Sequence, residues 1–227
     1  MSKTRCAVIV CAAALCAGSA WPAADAPAQA LGGTNSVVAA PGGDLLFDGK
    51  TLSGWREVDF SHHGPVRIKA GGVLELGTGD SMTGVVYTNP VPRMHYELTL
   101  EARRTQGGDF FCGLTFPVLT NSITLILGGW GGGVTGLSSL DYRDASDNET
   151  SSMQTYESNR WYAVRVRVTP GRIEAWLDGQ AIVDVQTEDR RVGLRMGEIE
   201  LCAPLGLATW ETTGELRHIR LRKLAER

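Results

Sequence analysis

The side chains with the capacity for chemistry gather in the middle and near the end of the chain. Glycoside cleavage needs two carboxyl groups facing one cleft, and Asp109 together with Asp141 or Glu211 can supply them. Phe111, Trp130 and Trp210 offer flat aromatic faces of the kind on which a sugar ring stacks. Trp130 stands inside the run Gly128-Gly129-Trp130-Gly131-Gly132-Gly133, which strips side chains from around one indole and lets a ring-shaped ligand approach bare backbone. The competing role for Trp130 is that of a plug at the end of a β-sandwich, enclosed by Val134, Leu137 and Leu140. Asp109 opens one strand, Trp130 ends its hairpin partner and Asp141 follows the glycine loop, so these three are expected to border one concave surface.

Other chemistries find less support. Asp141, Asp144, Asp147 and Glu149 lie in one acidic loop with Asn148, and hard oxygen ligands of this kind suit calcium, but their spacing is not that of an EF-hand. A solvated acidic turn is the stronger account of that loop, so no cofactor is assigned and calcium is its only candidate ion. The four histidines, His62, His63, His95 and His218, have no metal-specifying spacing. Neighbouring residues on an extended chain point to opposite sides, so His62 and His63 do not naturally chelate one ion. No nucleophile-elbow or helical zinc-protease motif occurs. The glycine run lacks the Lys-Ser or Lys-Thr of a phosphate loop.

The elements that must position these groups are strands. From Trp161 to Val168 one parity carries Tyr162, Val164, Val166 and Val168 and the other Arg165 and Arg167, the two-residue period of a strand with one buried face. Thr169-Pro-Gly-Arg172 breaks the run, Ile173 to Leu177 forms a second strand, and Asp178-Gly179 turns the chain into a third from Ile182 to Val185. Such a meander cannot bury its apolar face alone and requires a second sheet. Met94 to Arg104 alternates likewise, with Tyr96, Leu98, Leu100 and Ala102 on one side and Glu97, Thr99, Glu101 and Arg103 on the other. The final strand, Leu216 to Lys223, sets Ile219 and Leu221 against His218, Arg220 and Arg222. If these two strands are neighbours, the basic residues oppose Glu97 and Glu101. Tyr96, Leu98, Val164, Val166, Ile219 and Leu221 are accordingly expected in one core, with Glu97, Arg165, Arg167 and Arg220 outside it. Phe110 to Phe116 and Ser122 to Leu127 also alternate, and these two strands are expected to present a partly polar face on which a ligand can lie.

Composition narrows the field further. The chain has 227 residues, 28 of them glycine, with turn-forming residues spread throughout, which suits one large β-domain. Its net charge is −3 and it has no basic run, so nucleic acid and anionic membrane surfaces are not expected partners. Lys3 and Arg5 precede the apolar stretch Ala7 to Ala17, which is too short for a membrane anchor and is followed by small residues. Residues 1–30 therefore read as a signal peptide, residues 31–43 as a flexible lead-in, and the mature protein as periplasmic or extracellular. Removal of the leader leaves Cys112 and Cys202, which an oxidising compartment permits to pair, although two separately buried thiols explain them equally well.

LFDGKTLSGW at Leu46 to Trp55, GGVLEL at Gly71 to Leu76, the HYELTLEAR strand and RWYAVRVRVTPGRIEAWLDGQ together resemble the 3-keto-disaccharide hydrolase family. The resemblance covers Asp44 to Leu224. It implies an all-β, concanavalin A-like jelly roll over residues 44–224, made of two antiparallel sheets, similar to laminin-G and glucanase-like lectin domains. It also implies cleavage of 3-keto-glycosides: the ketone acidifies the C2 proton, a base removes it, the leaving group departs by elimination, and water adds afterwards. Where many relatives carry a glutamate and a glutamine on the strand corresponding to Ser122 to Leu127, this chain reads SITLILGG. Two functions follow as expectations, an exported hydrolase or lyase acting on a keto-glycoside, and a noncatalytic carbohydrate-binding domain. A structural or protein-binding surface module is the third.

Overall fold

The computed structural model describes residues 42–226. The leader expected over residues 1–30 and residues 31–41 of the lead-in lie outside the described residues. The strands are, in chain order, β1 (Asp44–Leu45), β2 (Trp55–Glu57), β3 (Val66–Lys69), β4 (Val73–Leu76), β5 (Met82–Tyr87), β6 (Tyr96–Gly107), β7 (Cys112–Val118) and β8 (Asn121–Gly128). They continue as β9 (Val134–Ser138), β10 (Ser152–Met153), β11 (Tyr162–Thr169), β12 (Arg172–Leu177), β13 (Gln180–Gln186), β14 (Gly206–Trp210) and β15 (Thr212–Lys223). They form two antiparallel sheets. One has the order β13-β12-β11-β6-β15-β4-β3 with β1 also on β15, and the other β10-β9-β8-β7-β14-β5-β2. This is a jelly-roll sandwich, the expected fold class. No helix among the described residues is long and apolar enough to cross a membrane.

The strand alternation decides which face is covered. Tyr96, Leu98, Val164, Val166, Ile219 and Leu221 are all buried and meet Leu114, Phe116, Ile123, Leu125, Leu127 and Leu207 of the other sheet in one continuous core. The Asp178-Gly179 turn joins β12 to β13, which completes the meander read from the sequence. On the far side of the larger sheet, β15 lies against β6 with Arg222 opposite Glu97 and Arg217 opposite Glu101. Arg222 Nη2 donates to Glu97 at 2.8 Å as expected, but an irregularity between Arg217 and Arg220 brings Arg217, not Arg220, to Glu101, with Nε donating at 2.6 Å, while Arg220 Nη1 donates to the Gly43 carbonyl at 3.2 Å.

One expectation needs correction here. Glu97 does not remain open to solvent but is 1% exposed. It still projects from the outer parity of β6. Arg222 closes over it from β15, while Arg165 and Arg167 reach it from β11 at 3.3 and 3.2 Å. Three guanidinium groups cover the carboxylate, so the register is preserved while a charge is desolvated and fully paired.

The smaller sheet has a second apolar surface on its outer face. Val58, Phe60, Met82, Val86 and Ala208 gather there with Ile199 and Cys202, which belong to the 3-10 turn Glu198–Cys202. The turn fits closely because residue 206 is glycine: a Cβ there would lie 2.6 Å from the Cys202 carbonyl oxygen. Cys112 belongs to the core between the sheets and Cys202 to this outer cluster, and both are free and buried. Loss of hydration pushes each thiol up to about 12. Neither is a nucleophile at neutral pH.

Candidate functional site

The outer parity of the smaller sheet is where polar side chains interrupt the apolar pattern. Gly113 pairs with Ile126 and Thr115 with Thr124, and the two threonine hydroxyls lie 2.8 Å apart. This is the partly polar face expected for the two strands. Over it opens a cleft of about 470 Å³. Thr124, Ile126 and Ser138 form its floor, with Met82 and Phe110 beside them. Trp130 comes from the loop after β8, Trp210 from the end of β14, and Arg195, Met196, Glu198 and Ile199 from the segment that crosses the sheet.

The loop carrying Trp130 is shaped by backbone rather than by a long element. After β8 the chain makes a short helical turn over Gly129–Gly132, within which Trp130 and Gly131 adopt left-handed angles, with φ of 50° and 86°. The loop is closed from below by Asp109. Its Oδ2 accepts a hydrogen bond from the Gly131 amide at 2.9 Å and its Oδ1 one from the Phe110 amide at 2.7 Å, while its own amide donates to the Thr212 hydroxyl at 2.9 Å. Gly132, at φ 104°, has no room for a side chain: a Cβ would approach the Gly108 carbonyl oxygen to 2.8 Å. The result is an indole 43% exposed and not enclosed by Val134, Leu137 and Leu140. The Arg195 guanidinium lies 5.9 Å from its ring centroid, within reach of a cation–π interaction. Trp210, 37% exposed, lines the same cleft.

Three residues singled out in the sequence do not line this cleft. Phe111 is fully buried and packs against Tyr156 at 4.9 Å between centroids, because the alternation slips just before β7 and sends both Phe111 and Cys112 into the core. Phe110 takes the outward place instead. Asp141 is held away by its neighbours: Arg190 Nε donates to its Oδ2 at 2.6 Å and the Arg191 amide to its Oδ1 at 2.7 Å. Asp109 and Trp130 thus share a concave surface with Glu198, not with Asp141. Glu211 occupies the tight turn between β14 and β15 at φ 44°, exposed, and it is its neighbour Trp210 that lines the cleft.

The acidic loop does not converge on a vacant centre. Arg190 joins Asp141 to Glu149, and Arg195 approaches Asp144 at 3.5 Å. Among the described residues no group of three or more His, Cys, Asp or Glu side chains is placed to hold a metal ion; of the carboxylates considered for calcium, Asp141 and Asp144 are engaged by Arg190 and Arg195. These carboxylates instead pin the loop to the strap that continues into Arg195.

Glu198 is the carboxylate that the sequence did not reveal. It begins the 3-10 turn whose Ile199 and Cys202 are buried in the outer cluster, and its Oε1 accepts the Ser61 amide at 3.0 Å. It therefore stands on a braced segment, and among the described residues its second oxygen accepts no protein donor. The cleft thus combines two indoles, two carboxylates and one guanidinium over a partly polar floor.

Comparison with known proteins accords with this architecture. The profile of the 3-keto-alpha-glucoside-1,2-lyase-like domain matches residues 42–222, and the chain belongs to that family. No curated protein sequence matches the chain. Among solved structures, carbohydrate binding module CBM66 from Bacillus subtilis is similar with a TM-score of 0.53 and 12% identity, over 75% of this chain and 96% of that one. The Bacillus licheniformis β-glucanase has a TM-score of 0.52 and 10% identity, over 80% and 97%. The Crh5 transglycosylase in complex with NAG gives 0.53 and 10%, over 81% and 87%. At such identities these likenesses show the sandwich fold alone.

Proposed function

We propose that this domain is an exported lyase or hydrolase that holds a 3-keto-glycoside in the cleft between Trp130 and Trp210 and cleaves it by elimination. The observation that carries the reading is the meeting of two exposed indoles with Asp109, Glu198 and Arg195 in one cleft, in a chain of this family. A ketone at C3 acidifies the proton on C2. Glu198, one of whose oxygens has no donor among the described residues, takes that proton; the electron pair forms the enolate, whose negative charge faces Arg195. Collapse of the enolate expels the C1 substituent and leaves a C1–C2 double bond conjugated to the ketone, to which water adds. Asp109 has both oxygens on backbone amides, and its work is to fix the Trp130 loop.

A specific observation favours a second reading, noncatalytic sugar binding. Strand β8 presents Thr124 and Ile126 to the cleft, neither of which carries a carboxylate or carboxamide, so hydrogen-bonding groups at the sugar are few. The two readings separate on turnover. Purified protein is incubated with 3-keto-glycosides carrying a chromogenic leaving group, beside Glu198→Gln and Trp130→Ala variants. The lyase reading expects release by the wild type, loss of at least about a hundredfold in rate with Glu198→Gln at retained binding, and weakened binding with Trp130→Ala. Binding without release by the wild type establishes the second reading.

A further inference from the structure

Beside the tryptophan cleft, on the same outer face of the smaller sheet, lies a second cavity of about 680 Å³. Strand β8 connects the two: Thr124 and Ile126 line the first, Asn121 and Ser122 the second, and Met196 borders both. Ser122 and Thr124 point to the same side and are two residues apart, about 7 Å along a strand, so adjoining rings of one glycan can occupy adjoining cavities.

The second cavity has a different chemistry from the first. Arg93 and Arg191 line it, and among the described residues neither has a carboxylate within ion-pair distance, whereas Arg190 and Arg195 on the same strap are each paired. Both free guanidinium groups are nevertheless held. Arg93 Nη1 donates to the carbonyls of Leu119 at 3.1 Å and Asn121 at 3.5 Å, across the turn between β7 and β8. Arg191 Nη1 donates to the Tyr142 hydroxyl, and its guanidinium carbon lies 3.9 Å from the centroid of that ring. Each retains N–H donors beyond these contacts. The one carboxylate on the cavity wall is Glu200, whose Oε2 accepts the Gly197 amide at 3.2 Å. Two guanidinium groups against one carboxylate give this cavity a positive balance on a chain whose net charge is −3.

We propose that the Arg93–Arg191 cavity binds an anionic substituent, a carboxylate or a sulfate, on the sugar residue next to the one held between Trp130 and Trp210, so that the natural ligand is an acidic glycoside. This rests on the assignment of the tryptophan cleft to a sugar ring. Forked guanidinium donors match the paired oxygens of such groups, and Asn121 supplies a neutral donor to the ring that bears them, the Ser122 hydroxyl donating to the Pro204 carbonyl at 3.3 Å.

The test is calorimetric titration with three disaccharides that differ in one residue: a neutral one, one ending in a uronic acid, and one ending in a sulfated sugar, with free glucuronate and inorganic sulfate as separate arms. The acidic disaccharides are expected to bind at least about tenfold more tightly than the neutral one at low salt, with the advantage shrinking as ionic strength rises. Which acidic disaccharide gains more distinguishes carboxylate from sulfate. Arg93→Gln and Arg191→Gln are expected to remove the advantage and leave neutral binding unchanged. Equal affinity for all three, or an advantage that survives both substitutions, overturns the proposal alone. Binding of free sulfate without any disaccharide preference overturns it as well, showing an anion site unconnected with sugars. Failure of every disaccharide to bind removes the sugar assignment of the tryptophan cleft and this proposal with it.

Discussion

The Asp109 carboxylate receives the Gly131 amide at 2.9 Å, so the residue just before β7 fastens the loop that displays Trp130. A catalytic role is the usual expectation for an acidic residue beside an exposed aromatic, yet both oxygens here serve the backbone. Asp109→Ala strands two amides, and the expected cost is about 1–3 kcal/mol of stability. Ligand affinity should fall with it, because the indole loses its fixed orientation. Asn keeps one acceptor oxygen and should lie between. Thermal melting and ligand titration of the two variants check this, and an Asp109→Ala protein with wild-type affinity would separate the carboxylate from the loop.

Trp130 and Phe111 should respond oppositely to truncation. The indole is 43% exposed and the phenyl ring fully buried. Trp130→Ala is expected to change stability by less than about 1 kcal/mol while impairing sugar binding. Phe111→Ala opens a cavity beneath Tyr156 and Tyr162 and should cost about 3–5 kcal/mol. Denaturant unfolding of both variants gives the comparison directly.

Among the described residues Glu97 is one of two buried carboxylates on the larger sheet, the other being Glu215. Removal of Glu97 leaves Arg165, Arg167 and Arg222 facing one another over an empty place. Glu97→Ala should destabilise by about 3 kcal/mol, the low end for a broken buried pair, since the guanidinium groups retain contact with water. The effect should be smaller for the double variant Glu97→Met with Arg222→Met, which removes a cation together with the carboxylate. A double-mutant cycle measures that coupling.

Acid should loosen the strap beside the cleft. The Arg191 amide first, and the Arg190 guanidinium second, hold the Asp141 carboxyl below its ordinary 3.8. Glu149 is held below 4.5 chiefly by its own backbone amide, with Arg190 adding to the effect. Groups lowered on folding contribute stability that is complete above their unfolded values and lost as pH falls through the folded ones. The melting temperature of wild type should therefore exceed that of Arg190→Gln at neutral pH, and the gap should close as pH drops below about 4. A gap that does not change with pH would contradict the linkage.

Much of this fold could be read from alternation alone. Tyr162 to Val185 forms the meander, and the β6 and β15 parities predict the core and the pairing of Glu97 with Arg222, whereas the irregularity between Arg217 and Arg220 sets Arg217 against Glu101, although strict alternation places it on the side of Ile219 and Leu221. A period of two says nothing about depth on the polar side, which is why Glu97 was expected outside and is instead sealed by three arginines. Alternation also fails where the chain slips, and one extra residue before Cys112 exchanged the places of Phe110 and Phe111. The cleft itself was half legible. Trp130 and Asp109 sit at strand ends that a hairpin brings together. Glu198 arrives on a strap with no periodicity, placed by Ile199 and Cys202 packing on residues from β5 and β14, and only tertiary contact reveals it.

The indole N–H resonances of a ¹⁵N-labelled protein report individually on whether a sugar ring lies between Trp130 and Trp210. Trp55 is committed to the Leu46 carbonyl at 2.7 Å, and Trp161 and Trp176 lie under arginines on the other sheet. Titration with a 3-keto-glycoside, using Glu198→Gln to prevent turnover, should shift the Trp130 and Trp210 signals along one saturable curve while those of Trp55, Trp161 and Trp176 stay in place. Shifts confined to Trp161 and Trp176, or no shift at Trp130 under conditions where calorimetry shows binding, would contradict the account.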